Sequence, residues 1–313
     1  MSFLGLPTLF LLAACAEPEV PACEGAAFDA DRMWEDVDYL ASPALDGRYP
    51  GSDGDLAARA LVVERFTCLG LTPLSDFMGY EQEFTDSEGN ETANVIGYLP
   101  GAEAEDELVV VSAHLDHLGD GFLGANDNAS GLSGLMAIAR AAVDAADAGE
   151  GTRRTLVFAA FGSEELGFEG SYTFLEQPPA GWDSGQIVYN VNMDMIGSYD
   201  QTEIVYALGA LPRTAATPML EELVQDYPEI EVGLDEASDQ SDNAPFCEIG
   251  IPYVFMWTED PACYHERCDR SDRIDAESMA SIASLTGDLA QMLADTTIDL
   301  AASVRPGTDV CGL

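Results

Sequence analysis

Lysine is absent from this chain of 313 residues, and its 12 basic side chains, all arginine, face 57 acidic ones. The formal net charge at pH 7 is −45. Because nucleic-acid binding needs a basic surface that neutralises phosphates, the composition excludes a nucleic-acid partner. The same argument excludes attraction to an anionic membrane surface. The charge predicts high solubility, and it favours cationic ligands such as peptides with a free amino group.

A long apolar run at the N-terminus is also missing. Residues 3–14 are apolar, but a membrane-spanning helix needs roughly 20 such residues. The stretch ends in Leu-Ala-Ala-Cys at Cys15, which resembles the lipobox of bacterial lipoproteins. This resemblance implies a signal peptide over residues 1–15 and export, with membrane contact only through a lipid anchor on Cys15. Ordinary secretion and a cytosolic location are the alternatives. Residues 16–28 then form a tether, and residues 29–313 form one domain.

Six cysteines remain beyond the lipobox cysteine. An even number in an exported chain indicates disulfide bonds, and six cysteines allow 15 pairings. The strongest expectation is a bridge between Cys263 and Cys268, because they are close together and bracket a Tyr-His pair. A Cys23–Cys311 bridge would join the two termini, whereas Cys247 has the apolar surroundings of a buried free thiol.

Apolar runs alternate with helical patterns along the chain. Continuous apolar runs predict buried strands, and amphipathic or alanine-rich spacing predicts helices. This alternation predicts an α/β fold with a mainly parallel mixed sheet flanked by helices. Segments 103–107 and 177–183 are predicted to be loops. Strands are predicted at 80–84, 93–99, 108–112, 156–161, 187–193, 204–208 and 253–256, and helices at 29–41, 54–69, 130–146, 214–225 and 276–293.

Residues that could bind metal follow these predicted strands or lie in turns. The carboxyl ends of parallel strands meet at one edge of a sheet, so we expect these side chains to lie close together. Imidazole and carboxylate groups are typical ligands of Zn²⁺. The candidate side chains are more numerous than one metal ion needs. The sequence therefore predicts a paired metal site. Its members are His114, Asp127, Glu164, Glu165, Asp194 and His265.

Each of these residues taken alone has an ordinary structural explanation. Asp127 could cap the helix predicted at residue 130, and Asp194 could form an ion pair. The doublet Glu164–Glu165 could be a solvated loop. However, adjacent acids at a sheet edge repel one another, and metal charge would relieve that repulsion. One acid could then bind metal while the other acts as a general base. The occurrence of all these residues together therefore favours a metal site.

The ordered set of motifs resembles the di-zinc aminopeptidases of the zinc-dependent exopeptidase superfamily, the secreted bacterial leucine-type aminopeptidases. The matching segments are HLD at 114–116, GANDNASG at 124–131, SEELG at 163–167, NMDMIG at 192–197 and YH at 264–265. With the upstream stretch 40–73, the resemblance covers about residues 31–293. It implies the zinc-dependent exopeptidase (phosphorylase/hydrolase-like) fold, a catalytic domain over residues 29–313, and two Zn²⁺ ions per chain.

The resemblance also implies a role for individual side chains. Glu164 would be the general base, and Tyr264 would stabilise the oxyanion. Asp116 would accept the second ring N–H of the histidine two residues before it. His117 matches no ligand position of the family and receives no role. The metal ligands would be His114 and Asp194 for one zinc, Glu165 and His265 for the other, and Asp127 as the bridge between them.

The function implied by this resemblance is the removal of N-terminal residues from peptides with a free amino terminus. A single-zinc glutaminyl cyclase shares the fold, and the intact segment 127–131 favours the peptidase. Carboxypeptidases and dipeptidases of the same superfamily are further alternatives. A non-catalytic ectodomain on this fold would lose ligands or the base, and none is missing here. The segment ERCD at 266–269 departs from the Thr/Pro-rich turn that is frequent in the family.

Overall fold

The computed structural model describes residues 19–302, apart from residues 24, 78, 211–213, 236 and 237. The predicted signal peptide and the lipidation site Cys15 lie outside the described residues. None of the helices within the described part combines the length and the apolar composition needed to cross a lipid bilayer.

The described residues contain a mixed sheet of eight strands. The strands are β1 (Glu81–Thr85), β2 (Glu91–Leu99), β3 (Ala104–His114), β4 (Arg154–Phe161), β5 (Ile187–Met193), β6 (Val205–Leu208), β7 (Val232–Asp235) and β8 (Tyr253–Trp257). They lie in the order β1-β2-β4-β3-β5-β8-β6-β7. The central strands β4, β3, β5 and β8 are parallel to one another, and β1 and β2 pair antiparallel at one side. This mostly parallel sheet confirms the predicted fold class.

Helices cover both faces of the sheet. They are α1 (Ala30–Leu40), α2 (Asp53–Leu69), α3 (Gly131–Asp147), α4 (Glu169–Glu176), α5 (Tyr199–Thr202), α6 (Ala216–Leu223), α7 (Asn243–Glu248) and α8 (Ala276–Asp295). Alternate residues of β3 belong to two different apolar clusters. Val109 packs with helices α1, α2, α3 and α8, whereas Val110 packs with α4 and α7. Since successive side chains of a strand point to opposite faces, the clusters are the two sides of a three-layer core.

Local sequence signals set the ends of the main helices. Asp29 caps α1, accepting a hydrogen bond from the Arg32 backbone N–H at 3.1 Å. Gly70 ends α2 at the predicted residue in the left-handed conformation, with φ 69°. The Asp275 side chain caps α8 by accepting a hydrogen bond from the Ser278 N–H. These signals act within a few residues, so the long helices are predictable from sequence.

Three sequence expectations about the fold were wrong. Residues 104–107 belong to β3, but they are half-buried or exposed and lie at a break in the register, so the strand is polar there. Cys23 bonds to Cys68 near the end of α2 and not to the C-terminal cysteine, and Cys247 is also disulfide-bonded. The predicted Cys263–Cys268 bridge is confirmed.

Candidate metal centre

The candidate metal centre lies at the carboxyl edge of strands β4, β3 and β5. His114 is the last residue of β3, and Asp194 directly follows β5. The pair Glu164–Glu165 follows β4 after a two-residue turn. Because β4, β3 and β5 are neighbouring parallel strands, their ends place these four side chains together. Two further elements, the helical turn 125–130 before α3 and the loop after β8, bring in the remaining predicted residues.

The first half of the centre is built around His114, which is buried. Its Nε2 lies 3.2 Å from Asp194 Oδ1 and 3.2 Å from Asp127 Oδ1. Glu164 joins this half, since His114, Glu164 and Asp194 each offer an atom within 4.8 Å of the others. Two ligands on one tetrahedral zinc, each about 2.0 Å from it, are separated by about 3.3 Å. The observed separations therefore suit a shared metal ion.

The second half is built around His265. Its Nε2 lies 3.1 Å from Asp127 Oδ2 and 3.2 Å from Glu165 Oε2. Asp127 thus presents one carboxylate oxygen to each half. His117 also reaches this half, with Nδ1 2.7 Å from Glu165 Oε1. All three histidines of the chain meet at the centre, and this scarcity is the sequence signal that could have pointed to His117.

Asp116 holds the acidic pair rather than the histidine ring. Its carboxylate accepts hydrogen bonds from the backbone N–H groups of Glu164 at 2.9 Å and Glu165 at 3.2 Å. His114 Nδ1 lies 3.1 Å from the backbone carbonyl of Asp116 but 4.0 Å from its carboxylate. The His114 ring therefore contacts the backbone carbonyl of Asp116 and not the carboxylate expected from the resemblance.

Close backbone packing explains the glycine at the end of the GANDNASG motif. A Cβ at Gly131 would overlap the side chain of Asn128 and the carbonyl of Met193. The Asn128 amide in turn donates to that carbonyl at 3.0 Å and accepts from the Gly131 N–H at 2.9 Å. The turn that carries Asp127 is therefore pressed against the end of β5, which carries Asp194.

An open cleft adjoins the centre. Its cavity of about 340 Å³ is lined by Asp194, Met195, Gln240, Phe255, Trp257, Glu259, Asp260, Pro261 and Tyr264. The Tyr264 ring is 55% exposed and stacks on His265 with ring centroids 4.0 Å apart. A cavity of this size with apolar walls and a few polar groups is typical of a small-molecule site.

Residues 94–290 match peptidase family M28. The chain belongs to this family. The M28 peptidase is 30% identical to leupeptin-inactivating enzyme 1 of Streptomyces exfoliatus over 215 residues, which cover 60% of this chain and 45% of that protein. It therefore spans less than half the length of that relative. Its fold matches a zinc aminopeptidase from Bacillus subtilis with a TM-score of 0.72 at 16% identity, covering 93% of this chain and 100% of the other.

The same fold also occurs in a glutaminyl cyclase. The Porphyromonas gingivalis enzyme matches with a TM-score of 0.66 at 18% identity, covering 86% of this chain and 100% of that one. The resemblance to zinc exopeptidases that the motifs indicated is confirmed at the level of the family and the fold.

The electrostatics of the M28 peptidase suit bound cations. Burial raises the pKa of Asp116 to about 6 and the pKa of Glu164 well above its ordinary value. Hydrogen bonds to Asp127 and Glu165 raise the pKa of His265 to about 10. The buried carboxylates thus outnumber the protons and cationic side chains that neutralise their charge. Two divalent ions would supply the missing positive charge, and imidazole with carboxylate is the donor set that zinc prefers.

Two further residues of the M28 peptidase hold the loops of the centre, and no pattern in the sequence indicates their roles. Asp269 accepts hydrogen bonds from the backbone N–H groups of Asn126 at 2.7 Å and Asp127 at 3.0 Å. Arg48 is fully buried. Its guanidinium donates to the carbonyls of Leu40, Leu115, Leu123 and Gly124 at 2.8–2.9 Å.

Asp269→Ala is expected to lower the free energy of unfolding by about 2 kcal/mol or more, because two buried N–H groups lose their acceptor. Urea denaturation of the metal-free protein measures this effect without a contribution from zinc. Asp272→Ala is the matched control, since Asp272 lies three residues further on with a side chain 70% exposed. The control should change stability by less than about 0.5 kcal/mol. Equal effects of the two variants would contradict the assigned role of Asp269.

Proposed function

We propose that this M28 peptidase is an exported aminopeptidase that removes N-terminal residues from peptides with the help of two zinc ions. The observation that carries this proposal is the position of Asp127. Its Oδ1 lies 3.2 Å from His114 and its Oδ2 lies 3.1 Å from His265. A carboxylate that faces two separate histidine–carboxylate groups suits a pair of metal ions bridged by that carboxylate.

The proposed ligands follow from these contacts. His114 and Asp194 would hold one zinc, and Glu165 and His265 would hold the other, with Asp127 shared between them. Separations of 3.1–3.2 Å within each half support this division. When bound, the two ions supply Lewis-acid polarisation of the scissile carbonyl and a water of lowered pKa.

Glu164 is the proposed proton carrier. Its carboxylate receives the proton of the attacking water and passes it to the nitrogen of the leaving amine. Burial raises the pKa of this carboxylate and the nearby His114 opposes the rise, so the group is a stronger base than an exposed glutamate. The contact between its N–H and Asp116 at 2.9 Å fixes the backbone from which the side chain extends.

Tyr264 is the proposed hydrogen-bond donor to the developing oxyanion. It lines the cleft next to Asp194 and stacks on His265. Partial burial and the neighbouring carboxylates raise the pKa of its hydroxyl to about 12, so the proton stays on at neutral pH.

The charges around the cleft favour a substrate amino group over a substrate carboxylate. Asp194, Glu259 and Asp260 line the cavity, and none of the arginines in the described residues does. Two of the arginines that follow His265 are engaged elsewhere. Arg267 lies 4.6 Å from the centroid of the Phe122 ring, and Arg270 pairs with an exposed aspartate. A carboxypeptidase would need a cation in the cleft to bind its substrate.

Acetylation of the substrate amino group is expected to reduce kcat/KM by well over tenfold, a loss of more than about 1.4 kcal/mol. The measurement compares free and N-acetylated forms of the same amino-acid amides and dipeptides. The matched control is amidation of the C-terminus, which an aminopeptidase should tolerate. Equal hydrolysis of free and acetylated substrates would contradict the proposal, and a requirement for a free carboxylate would favour a carboxypeptidase. Peptides with N-terminal glutamine separate the glutaminyl cyclase alternative, because a cyclase releases ammonia rather than an amino acid.

Export is supported by the disulfides Cys23–Cys68 and Cys263–Cys268, since such bonds persist in oxidising compartments. Lipid attachment at Cys15 stays a prediction. Metabolic labelling of the expressed chain with a radioactive fatty acid tests it, and Cys15→Ala is the control in which labelling should disappear.

A further inference from the structure

His117 has no part in the proposed function, although it lies inside the centre. Its side chain is fully buried in the segment that follows β3. The ring packs edge-on against His265, with centroids 5.7 Å apart. Its Nδ1 lies 2.7 Å from Glu165 Oε1 and 3.8 Å from Asp127 Oδ2. A buried imidazole at this position affects the second zinc either as a ligand or as a partner of a ligand.

His117, Asp127 and Glu165 each offer an atom within 4.8 Å of the others, which is close enough to share a metal ion. The individual distances nevertheless favour a partner over a ligand. His265 Nε2 lies 3.1 and 3.2 Å from its two carboxylate neighbours, close to the roughly 3.3 Å expected between ligands of one tetrahedral zinc. The contact between His117 and Glu165 is shorter, and 2.7 Å is the length of a hydrogen bond from N–H to an ionised carboxylate. The two histidines also use different oxygens of Glu165. His117 faces Oε1, whereas His265 faces Oε2.

The surroundings of the other ring nitrogen, Nε2, indicate which nitrogen of His117 carries the proton. His117 Nε2 is buried and has no hydrogen-bond partner among the described residues. A proton on Nε2 would be a buried donor without an acceptor, and it would leave two lone pairs facing each other across the 2.7 Å contact. A proton on Nδ1 instead gives Glu165 a donor.

We propose that His117 is a positioning residue for the second zinc, which donates its Nδ1–H to Glu165 Oε1 and so turns Oε2 toward the metal. This inference rests on the proposed two-zinc function. Without the donor, the Glu165 carboxylate is free to rotate away from His265. Partners that orient metal ligands typically contribute 10–100-fold to metal affinity. The same bond leaves Asp127 as the shared ligand, since His117 stays 3.8 Å from it.

Three substitutions at this position separate donor, ligand and packing roles. His117→Ala removes the donor and the ring. His117→Asn places a side-chain N–H where Nδ1 was, but it cannot bind zinc as an imidazole. His117→Gln is the matched control, because its amide reaches the region of Nε2, where no acceptor lies. If the His117 ring only filled space, the longer Gln side chain would replace it better than Asn.

The readout is zinc content per chain, measured by mass spectrometry of the metal after equilibration at a series of buffered free-zinc concentrations. We expect His117→Asn to bind both ions like the wild type. His117→Ala and His117→Gln should keep the first ion and bind the second about 10–100-fold more weakly. Far-UV circular dichroism checks that each variant folds.

Two outcomes would overturn the inference. A His117→Asn variant as weak as His117→Ala would make the imidazole itself a ligand. Unchanged affinity for the second ion in His117→Ala would leave the contact with Glu165 without consequence. The zinc content of the wild type in the same series tests the proposed function separately, since a single bound ion there would reject the two-metal proposal.

Discussion

Glu164→Gln is expected to reduce kcat by about 10²–10⁴-fold while both zinc ions stay bound. Glutamine has nearly the same shape as glutamate and leaves the backbone N–H on Asp116, but its amide cannot accept the proton of the attacking water. The measurement pairs kcat on an amino-acid amide with zinc content per chain. KM should change little, because the substitution removes a proton acceptor rather than a binding contact.

The neighbouring acid provides the matched control. Glu165→Gln should weaken the second zinc, since Glu165 Oε2 faces His265 at 3.2 Å. Glu164 also lies close enough to His114 and Asp194 to share a metal ion with them. The comparison therefore also tests the opposite assignment, in which Glu164 is the ligand and Glu165 the base. If Glu164→Gln loses an ion and Glu165→Gln keeps both, the two roles within the doublet are exchanged.

Removal of zinc by a chelator is expected to abolish hydrolysis and to leave most of the far-UV circular dichroism signal. The eight-stranded sheet is packed on both faces by apolar clusters whose members are distinct from the proposed zinc ligands. In this respect the protein differs from small zinc domains, which unfold without metal. Addition of two equivalents of zinc should restore activity. Loss of the circular dichroism signal on chelation would contradict this expectation.

Stability should nevertheless depend on free zinc. A ligand that binds only the folded state stabilises it by about 2.7 kcal/mol at a concentration of 100 times Kd. The buried carboxylates add to this dependence, since Asp116, Glu164 and Asp194 all have pKa values raised by burial. The melting temperature should therefore rise with zinc concentration, and differential scanning calorimetry measures the shift.

The residues of the centre that lie at strand ends could be predicted from the sequence. Buried parallel strands are continuous apolar runs, and polar residues that directly follow them must lie at the sheet edge. His114, the Glu164–Glu165 pair and Asp194 all satisfy this rule. The long helices were predictable for a similar reason, because their capping residues and apolar periodicity are local features of the sequence.

The supporting contacts could not be predicted, because they join segments that are distant in the chain. Asp269 binds the backbone of Asn126 across 143 residues, and no periodicity encodes that pairing. Arg48 looks like a surface arginine in a Gly-rich segment, yet it is fully buried against four carbonyls. The partner of Cys23 depends on how α2 packs, which six cysteines alone do not determine.

The loop between β8 and α8 has a consequence for protein engineering. It contains the Cys263–Cys268 bridge, carries Tyr264 and His265, and includes Asp269, which holds the backbone of Asp127. A redesign of this loop to change substrate preference would disturb both halves of the centre together. Phe255 and Trp257 form part of the cleft wall but belong to β8 and not to this loop, so they offer a safer target. Selectivity libraries should therefore vary the wall and leave the loop intact.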